Sequence, residues 1–407
     1  PAERLLVAQG RFDLGGEPDE AVGRSVERER GAFRKSREVV KGVLMSAFSI
    51  AVHPVTVRQY FSYLVLQTGE DALRKALEGP LPAAIVGNRS PLFPRKDVAK
   101  TSPGDGGSGT DSSCYDCPDI LDLREVIREI PAGSLLERLT SCLGGGDAAG
   151  VDCNREYQFL RWYFTEKHPF LCDEYFDDCN QSMVGVTYNE ARGYATYFGA
   201  SLPTEAQWEY AAKRVADEVS GVRKCNCAGE ATVGNHAFPW GNRAVTDTWP
   251  LPELMVSKVG SPEAGRGAIE MPVKGLAGGV WEWCVDAWLE DAGREVLEAA
   301  AAKAVDDEKK RVVSGGADPG AVEVRDPLIP GSVEDLYLVG GVVMMFRDDV
   351  REWQRLRIRS PDLARRVLRG GSRESFLPQA WTTFRYHEDR ERRRGDVGFR
   401  LVYPPGS

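Results

Sequence analysis

The stretch Arg366–Tyr403, RVLRGGSRESFLPQAWTTFRYHEDRERRRGDVGFRLVY, decides how this chain is read. Arg366-Val367-Leu368-Arg369 reads as a short strand that the pair Gly370-Gly371 stops. Val397 to Tyr403 reads as a second, with Phe399, Leu401 and Val402 as its apolar positions. Between these ends neither the strand nor the helix period holds, so pattern alone predicts a loop. That loop carries Phe376, Trp381, Phe384, Tyr386 and His387, with five Arg and four acidic residues between Arg385 and Asp396. Rings and guanidinium groups in that density resemble a contact surface, because they give large area or a planar charged fork at modest entropy cost. The plainer alternative is a solvated charged loop with a few half-buried rings.

Working outward, 407 residues are too many for one core of ordinary size and predict two or three units, or one large domain with insertions. A hydrophobic share of 42% and a charged share of 28% belong to a soluble globular chain. The net charge of -9 argues against a nucleic-acid protein. No apolar window is long enough to span a membrane. The opening PAERLLVAQGRFDLGGEPDE has no basic region followed by an apolar one, so no signal peptide is visible. Cytoplasmic placement is expected unless a leader was trimmed.

Five blocks follow from composition. In block 5–69, Leu5 to Ala8 and Gly10 to Gly16 read as a strand, a turn and a second strand, and Val40–Val52 as a buried strand pair. Thr56 reads as the N-cap of a helix with Tyr60, Phe61 and Leu64 on one face. Block 70–180 reads as an insertion: four Pro break its start, Asp97–Ser113 is a mobile Gly/Ser/Asp segment, and a helical piece lies near Leu121–Leu139. In block 181–285, Thr187 with Glu190 and Thr204 with Gln207 are capping boxes. The first predicts Ala191, Tyr194, Ala195 and Phe198 on one helix face, the second Trp208, Ala211 and Ala212. The aromatics of Phe238-Pro-Trp-Gly-Asn242 and Gly278-Gly-Val-Trp-Glu-Trp-Cys284 read first as core packing. Block 286–365 is a second insertion, with a helix over Glu295–Val313 and a strand or hairpin over Leu336–Phe346. Block 366–403 closes the chain.

Nine Cys leave at least one unpaired. Cys114 and Cys117 have the spacing of half a zinc site, which Cys142 and Cys153 could complete. Cys172 with Cys179, and Cys225 with Cys227, are disulfides or ordinary thiols; spacing does not decide. None of the four His is spaced as a metal ligand.

Eight ordered motifs carry a family resemblance: Gly10-x-Phe12-x-Leu14-Gly15, Pro54-Val-Thr56 with Tyr60, Gly185-Val-Thr-Tyr188, Leu202-Pro-Thr-Glu-Ala-Gln-Trp-Glu-Tyr-Ala211, Phe238-Pro-Trp-Gly-Asn242, Val280-Trp-Glu-Trp283, Arg369-Gly-Gly-Ser372 and Gly398-Phe-Arg400. Together they resemble the formylglycine-generating (sulfatase-modifying factor) family over blocks 5–69, 181–285 and 366–403. The resemblance implies an α+β, C-type-lectin-like fold with two insertions. It would also imply copper held by two Cys shortly after Arg-Gly-Gly-Ser, yet the last Cys of this chain is Cys284. Gly279 stands where the family has Asn, which leaves only a carbonyl for a structural calcium.

The C-terminal block is similar to the variable proteins of diversity-generating retroelements, which share this fold. There Arg373 stands where Trp is usual, Trp381 where Arg is usual and Arg390 where Pro is usual. The resemblance implies a non-catalytic display protein binding an unknown ligand, a protein or cell-surface molecule, with no nucleic acid, no cofactor and no catalytic residue. Its implied contact positions are Arg373, Glu374, Ser375, Phe376, Gln379, Trp381, Phe384, Tyr386, His387, Glu388, Asp389, Arg392 and Arg394. Gly370, Gly371, Ser372, Arg385, Gly398, Phe399 and Arg400 are the implied scaffold. A structural calcium or zinc ion is compatible with this reading. The rival is an enzyme or enzyme accessory of the sulfatase-modifying group.

Overall fold

The computed structural model describes residues 3–16, 39–78, 131, 133–137, 139, 160, 164, 180–221, 224–225, 231–242, 271–288, 326–328, 364–373, 375 and 377–405. The chain divides into two compact units, Pro1–Val55 with Val186–Ser407, and Thr56–Gly185. Several expectations lie outside the described residues: Asp97–Ser113, the zinc candidates Cys114, Cys117, Cys142 and Cys153, and the elements over Glu295–Val313 and Leu336–Phe346. Of the helix expected near Leu121–Leu139, residues 131, 133–137 and 139 are described; 135–137 and 139 are helical, while 131, 133 and 134 are not.

In the first unit, β1 (Arg4–Val7) and β2 (Gly10–Leu14) are followed by β3 (Val40–Met45) and β4 (Phe48–Ala51). Val40–Val52 does hold two buried strands, but they are not a pair: β3 pairs with β2, while β4 pairs with β1. The two-residue breaks inside each sequence pair carry the chain from one sheet to the next, which periodicity cannot register. Two helices follow, α3 (Tyr188–Tyr197) and α4 (Glu205–Ser220), numbered after α1 (Val57–Thr68) and α2 (Glu70–Glu78) of the second unit. Then come β5 (Lys224–Cys225), β6 (Ala231–Thr232), β7 (Trp281–Ala287), β8 (Arg365–Arg369), β9 (Tyr386–Asp389), β10 (Val397–Gly398) and β11 (Val402–Tyr403). They form three sheets, ordered β1-β4-β11, β3-β2-β6-β5 and β10-β7-β8-β9. In the last, β10 runs parallel to β7, and the other neighbours are antiparallel.

Both capping boxes are made. Gln207 N donates to Thr204 Oγ1 at 3.0 Å while Thr204 N donates to Gln207 Oε1 at 2.9 Å, and Gly221 ends α4 in the left-handed region at φ 66°. Trp208, Ala211 and Ala212 face the core, as the spacing predicts. The same face also carries charge, since Glu205, Glu209 and Lys213 stand one turn apart on it and are all buried. On α3, Ala191, Tyr194 and Ala195 are buried, but Phe198 is exposed. The helix stops at Tyr197, so Phe198 leaves the inward face and its ring stays 4.8 Å from Tyr194. Phe238 and Trp240 stack in the core with centroids 4.6 Å apart.

In the second unit Thr56 caps α1 (Val57–Thr68) through a box with Gln59, ahead of α2 (Glu70–Glu78). The inward face is Val57, Tyr60, Phe61 and Val65; Leu64 is half-buried because Val65 is the residue one turn beyond Phe61. Phe61 stacks on Phe164 at 6.0 Å.

Candidate ligand-binding surface

The C-terminal stretch is more ordered than its pattern predicts. A turn of 3-10 helix covers Leu377–Ala380, and Tyr386–Asp389 is the strand β9, paired in register with β8: Leu368 with Tyr386, Val367 with His387, Arg366 with Glu388 and Arg365 with Asp389. Tertiary pairing creates this strand; its local composition does not.

Two glycines make the entrance. Gly370 and Gly371 have φ of 96° and 71°. A Cβ on Gly370 would stand 3.1 Å from the Leu276 carbonyl oxygen, and one on Gly371 3.0 Å from the Gln379 carbonyl oxygen. Only glycine suits both positions. Ser372 then bonds Asp396 at 3.1 Å through its hydroxyl, tying the start of the stretch to its end.

Beneath the surface, arginines act as clamps. Arg369 is fully buried, pairs with Glu209, and donates to the carbonyls of Phe384 at 2.7 Å and Thr382 at 2.8 Å. Glu209 also accepts from Lys213 at 2.8 Å and from the Gly15 amide at 2.7 Å. Arg385 pairs through two nitrogens with Glu205, and its guanidinium lies 4.6 Å from the Trp288 ring centre. Arg366 donates to Val285 O at 2.8 Å and lies over the Tyr188 ring. At the far turn, Arg393 holds both oxygens of Glu190, the Tyr188 amide donates to Arg390 O at 3.0 Å, and Asn189 bonds Glu391 at 2.7 Å. The buried arginines Arg366, Arg369 and Arg385 are each paired or hydrogen-bonded, as burial requires.

This geometry sorts the implied contact positions. Arg373, Asp389 and Arg392 are exposed; Gln379, Tyr386, His387, Glu388 and Arg394 are half-buried. Tyr386 stacks on Trp281 at 5.2 Å, and His387 packs on Trp288 at 4.5 Å. Arg394 bonds Asp396 at 2.9 and 2.7 Å. Two positions are corrected. Phe384 is 3% exposed, with its ring 6.1 Å from Trp281, and Ser375 is 3% exposed, its hydroxyl accepting from the Ser372 amide at 2.8 Å. Both side chains are buried, because the Arg369 clamp draws the chain inward at Phe384 and the Gly370-Gly371 turn folds Ser375 under Ser372. Trp381 is a partial correction, half-buried and packed against the core. Glu374 and Phe376 lie outside the described residues. The scaffold positions Gly370, Gly371, Ser372, Arg385, Gly398, Phe399 and Arg400 are all buried.

Glu205 and Glu209 went unread in the sequence. Their signal was present: carboxylates on the apolar stripe of a helix whose other face could have taken them.

A copper site of the family's type does not fit these residues. The segment after Ser372 holds no Cys. Cys284 is fully buried, and burial followed by the nearby Asp286 pushes its thiol well above the ordinary range, so it stays protonated. The Gly279 carbonyl, the one group available there for calcium, accepts the Arg373 amide at 3.1 Å. Among the described residues no group of three or more His, Cys, Asp or Glu could hold a metal ion. No helix among them is long and apolar enough to cross a membrane.

Fold and surface define an α+β scaffold of C-type-lectin-like type with an arginine-clamped C-terminal face. The family model for the sulfatase-modifying factor enzyme 1-like domain matches residues 1–326, and the chain belongs to that family. A formylglycine-generating enzyme of Mycobacterium tuberculosis is 33% identical over 261 residues, covering 62% of this chain and 67% of that protein. A formylglycine-generating enzyme of Thermomonospora curvata is 31% identical over 128 residues, 28% of this chain and 36% of that protein, so this match spans about a third of the relative's length. The solved structure of Treponema denticola variable protein 1 superposes with a TM-score of 0.37 at 13% identity, covering 99% of this chain and 95% of that one.

Proposed function

We propose that the chain is a non-catalytic ligand-binding protein, a variable protein of a diversity-generating retroelement, that grips a protein or cell-surface target through its C-terminal face. One observation carries this reading. Tyr386, His387, Glu388, Asp389, Arg392 and Arg394 stand at or near the surface on a backbone held from beneath by buried Arg–Glu pairs. Side chains on such a backbone can change without unfolding the domain, which is what a display surface needs. The surface is nearly balanced in charge, with Arg394 answered by Asp396 and Arg393 by Glu190, so a polyanion is a poor target. No cofactor enters this reading.

The test is genomic and biochemical. A near-copy of the last hundred or so coding bases beside a reverse transcriptase gene is expected, with differences falling on codons for the surface positions. If variation instead falls on Phe384, Arg385 and Arg369, the reading is wrong.

A second reading has one observation in its favour: relatives bear the name formylglycine-generating enzyme. It makes the chain an enzyme or accessory of the sulfatase-modifying group. Incubation with a cysteine-containing sulfatase peptide, oxygen and added copper tests it; measurable aldehyde formation would overturn the binding reading.

A further inference from the structure

We infer that Glu205 is a positioning residue for the surface strand β9, acting on His387 through Arg385 and Trp288. The inference rests on the binding reading in taking β9 as a contact strand. Glu205 opens α4 and is 1% exposed, so it touches no ligand itself. Its backbone amide donates to Asp286 Oδ2 at 2.6 Å, which fixes the first turn of the helix against the residue next to the end of β7. Its carboxylate takes Nε and Nη2 of Arg385, the residue immediately before β9, and lies 3.7 Å from Arg369. The Arg385 guanidinium carbon also lies over the Trp288 ring, 4.6 Å from its centre, and that ring lies 4.5 Å from that of His387. Trp288 is itself anchored, its amide donating to Arg365 O at 2.9 Å. A continuous series of contacts therefore runs from a buried carboxylate to a half-exposed imidazole.

Two physical reasons separate positioning from mere stability. A buried ion pair adds little net stability against a well-packed apolar replacement, so stability alone is a weak account of the Glu205–Arg385 pair. A planar guanidinium can also accept a carboxylate along one edge while stacking on an indole with its face, which fixes its plane in two directions; an ammonium cannot. Just upstream Arg369, paired with Glu209, donates to the carbonyls of Thr382 and Phe384, so strand β9 enters from a fixed point. The rings of Tyr386 and His387 each rest on a buried tryptophan, Trp281 and Trp288, and the second contact depends on Arg385.

The experiment compares the full chain with Glu205→Gln and with the double variant Glu205→Gln/Arg385→Gln, which leaves no buried charge unpaired. Hydrogen exchange is read by peptide, and the His387 ring resonance by NMR. Exchange in Tyr386–Asp389 is expected to rise about tenfold or more in the double variant, with β7 and α4 changed less than about twofold. The His387 resonance is expected to lose the displacement caused by the Trp288 ring. Uniform acceleration across the unit would mean a structural role alone and would overturn the inference, as would wild-type exchange in β9. Should Glu205→Gln fail to fold, the double variant decides. No ligand enters these measurements, so failure of the binding reading leaves them standing, and their failure leaves the binding reading untouched.

Discussion

The Arg400 guanidinium closes on the Glu282 carboxylate with neither side chain in contact with water: Nε lies 3.0 Å from Oε2 and Nη2 lies 2.7 Å from Oε1. The remaining donors of Arg400 go to the carbonyls of Ala51, Val52 and Lys274, and Trp208 Nε1 donates to the same carboxylate at 2.9 Å. One ion pair thus joins β7, the end of β4, helix α4 and the Gly-Phe-Arg segment that closes the C-terminal stretch. Glu282→Gln leaves a buried guanidinium without its counter-charge. The expected loss is about 3–5 kcal/mol, read from the urea midpoint. A loss below about 1 kcal/mol would mean that water reaches Arg400.

Burial divides the C-terminal stretch into two stability classes. Phe384→Ala empties a packed site beside Trp281 and should cost about 3–5 kcal/mol. Arg392→Ala, with its side chain 67% exposed, should stay within about 0.5 kcal/mol of wild type. Thermal unfolding of both variants checks the partition, and equal effects would remove the distinction between scaffold and surface.

His53 makes stability fall with acidity. Burial holds its pKa below the ordinary 6.5, and the nearby Arg400 and Lys274 push the same way, against an opposing Glu3. Below about pH 6.5 the unfolded chain takes up a proton that the folded chain declines, so stability present above that pH is lost as pH falls through the folded value. Urea unfolding at several pH values between neutral and mildly acidic should show this slope, and His53→Gln should flatten it. An unchanged slope in the variant would assign the effect elsewhere.

Cys284 should resist alkylation. With its thiol buried and kept protonated, iodoacetamide applied to the native protein at mildly alkaline pH should leave the Cys284 peptide unmodified, and denaturant should expose it. Mass spectrometry of the digest reads both states. Rapid native labelling would reopen thiolate chemistry at this site.

Arg393 and Glu190 offer a contrast with the deep pairs. Both side chains are about a quarter or more exposed, so Arg393→Ala should cost no more than about 1 kcal/mol. Because Glu190 also completes the capping box of α3, Glu190→Ala should cost more than Arg393→Ala. Chemical denaturation of the two variants side by side tests the order.

What the sequence determined was local. The N-cap at Thr56 and the capping boxes at Thr187 and Thr204 lie within four residues of chain, and the ordered motifs from Gly10 to Arg400 specified the family and its α+β architecture. The end of β8 at Gly370-Gly371 was equally legible, and the structure adds that both glycines take positive φ. Only the tertiary structure decided which aromatics of the last stretch meet water. Phe384 and Tyr386 are two residues apart and similar in character, yet one is buried and the other half-exposed. The difference comes from Arg369, which reaches the Phe384 carbonyl, and from β8, which recruits Tyr386 into a strand. Both partners are distant in sequence, and a carboxylate on the apolar stripe of α4 has no local pattern that names the arginine it will hold. Long-range ion pairing and strand register are properties of the folded chain, and in this protein they set the candidate binding face.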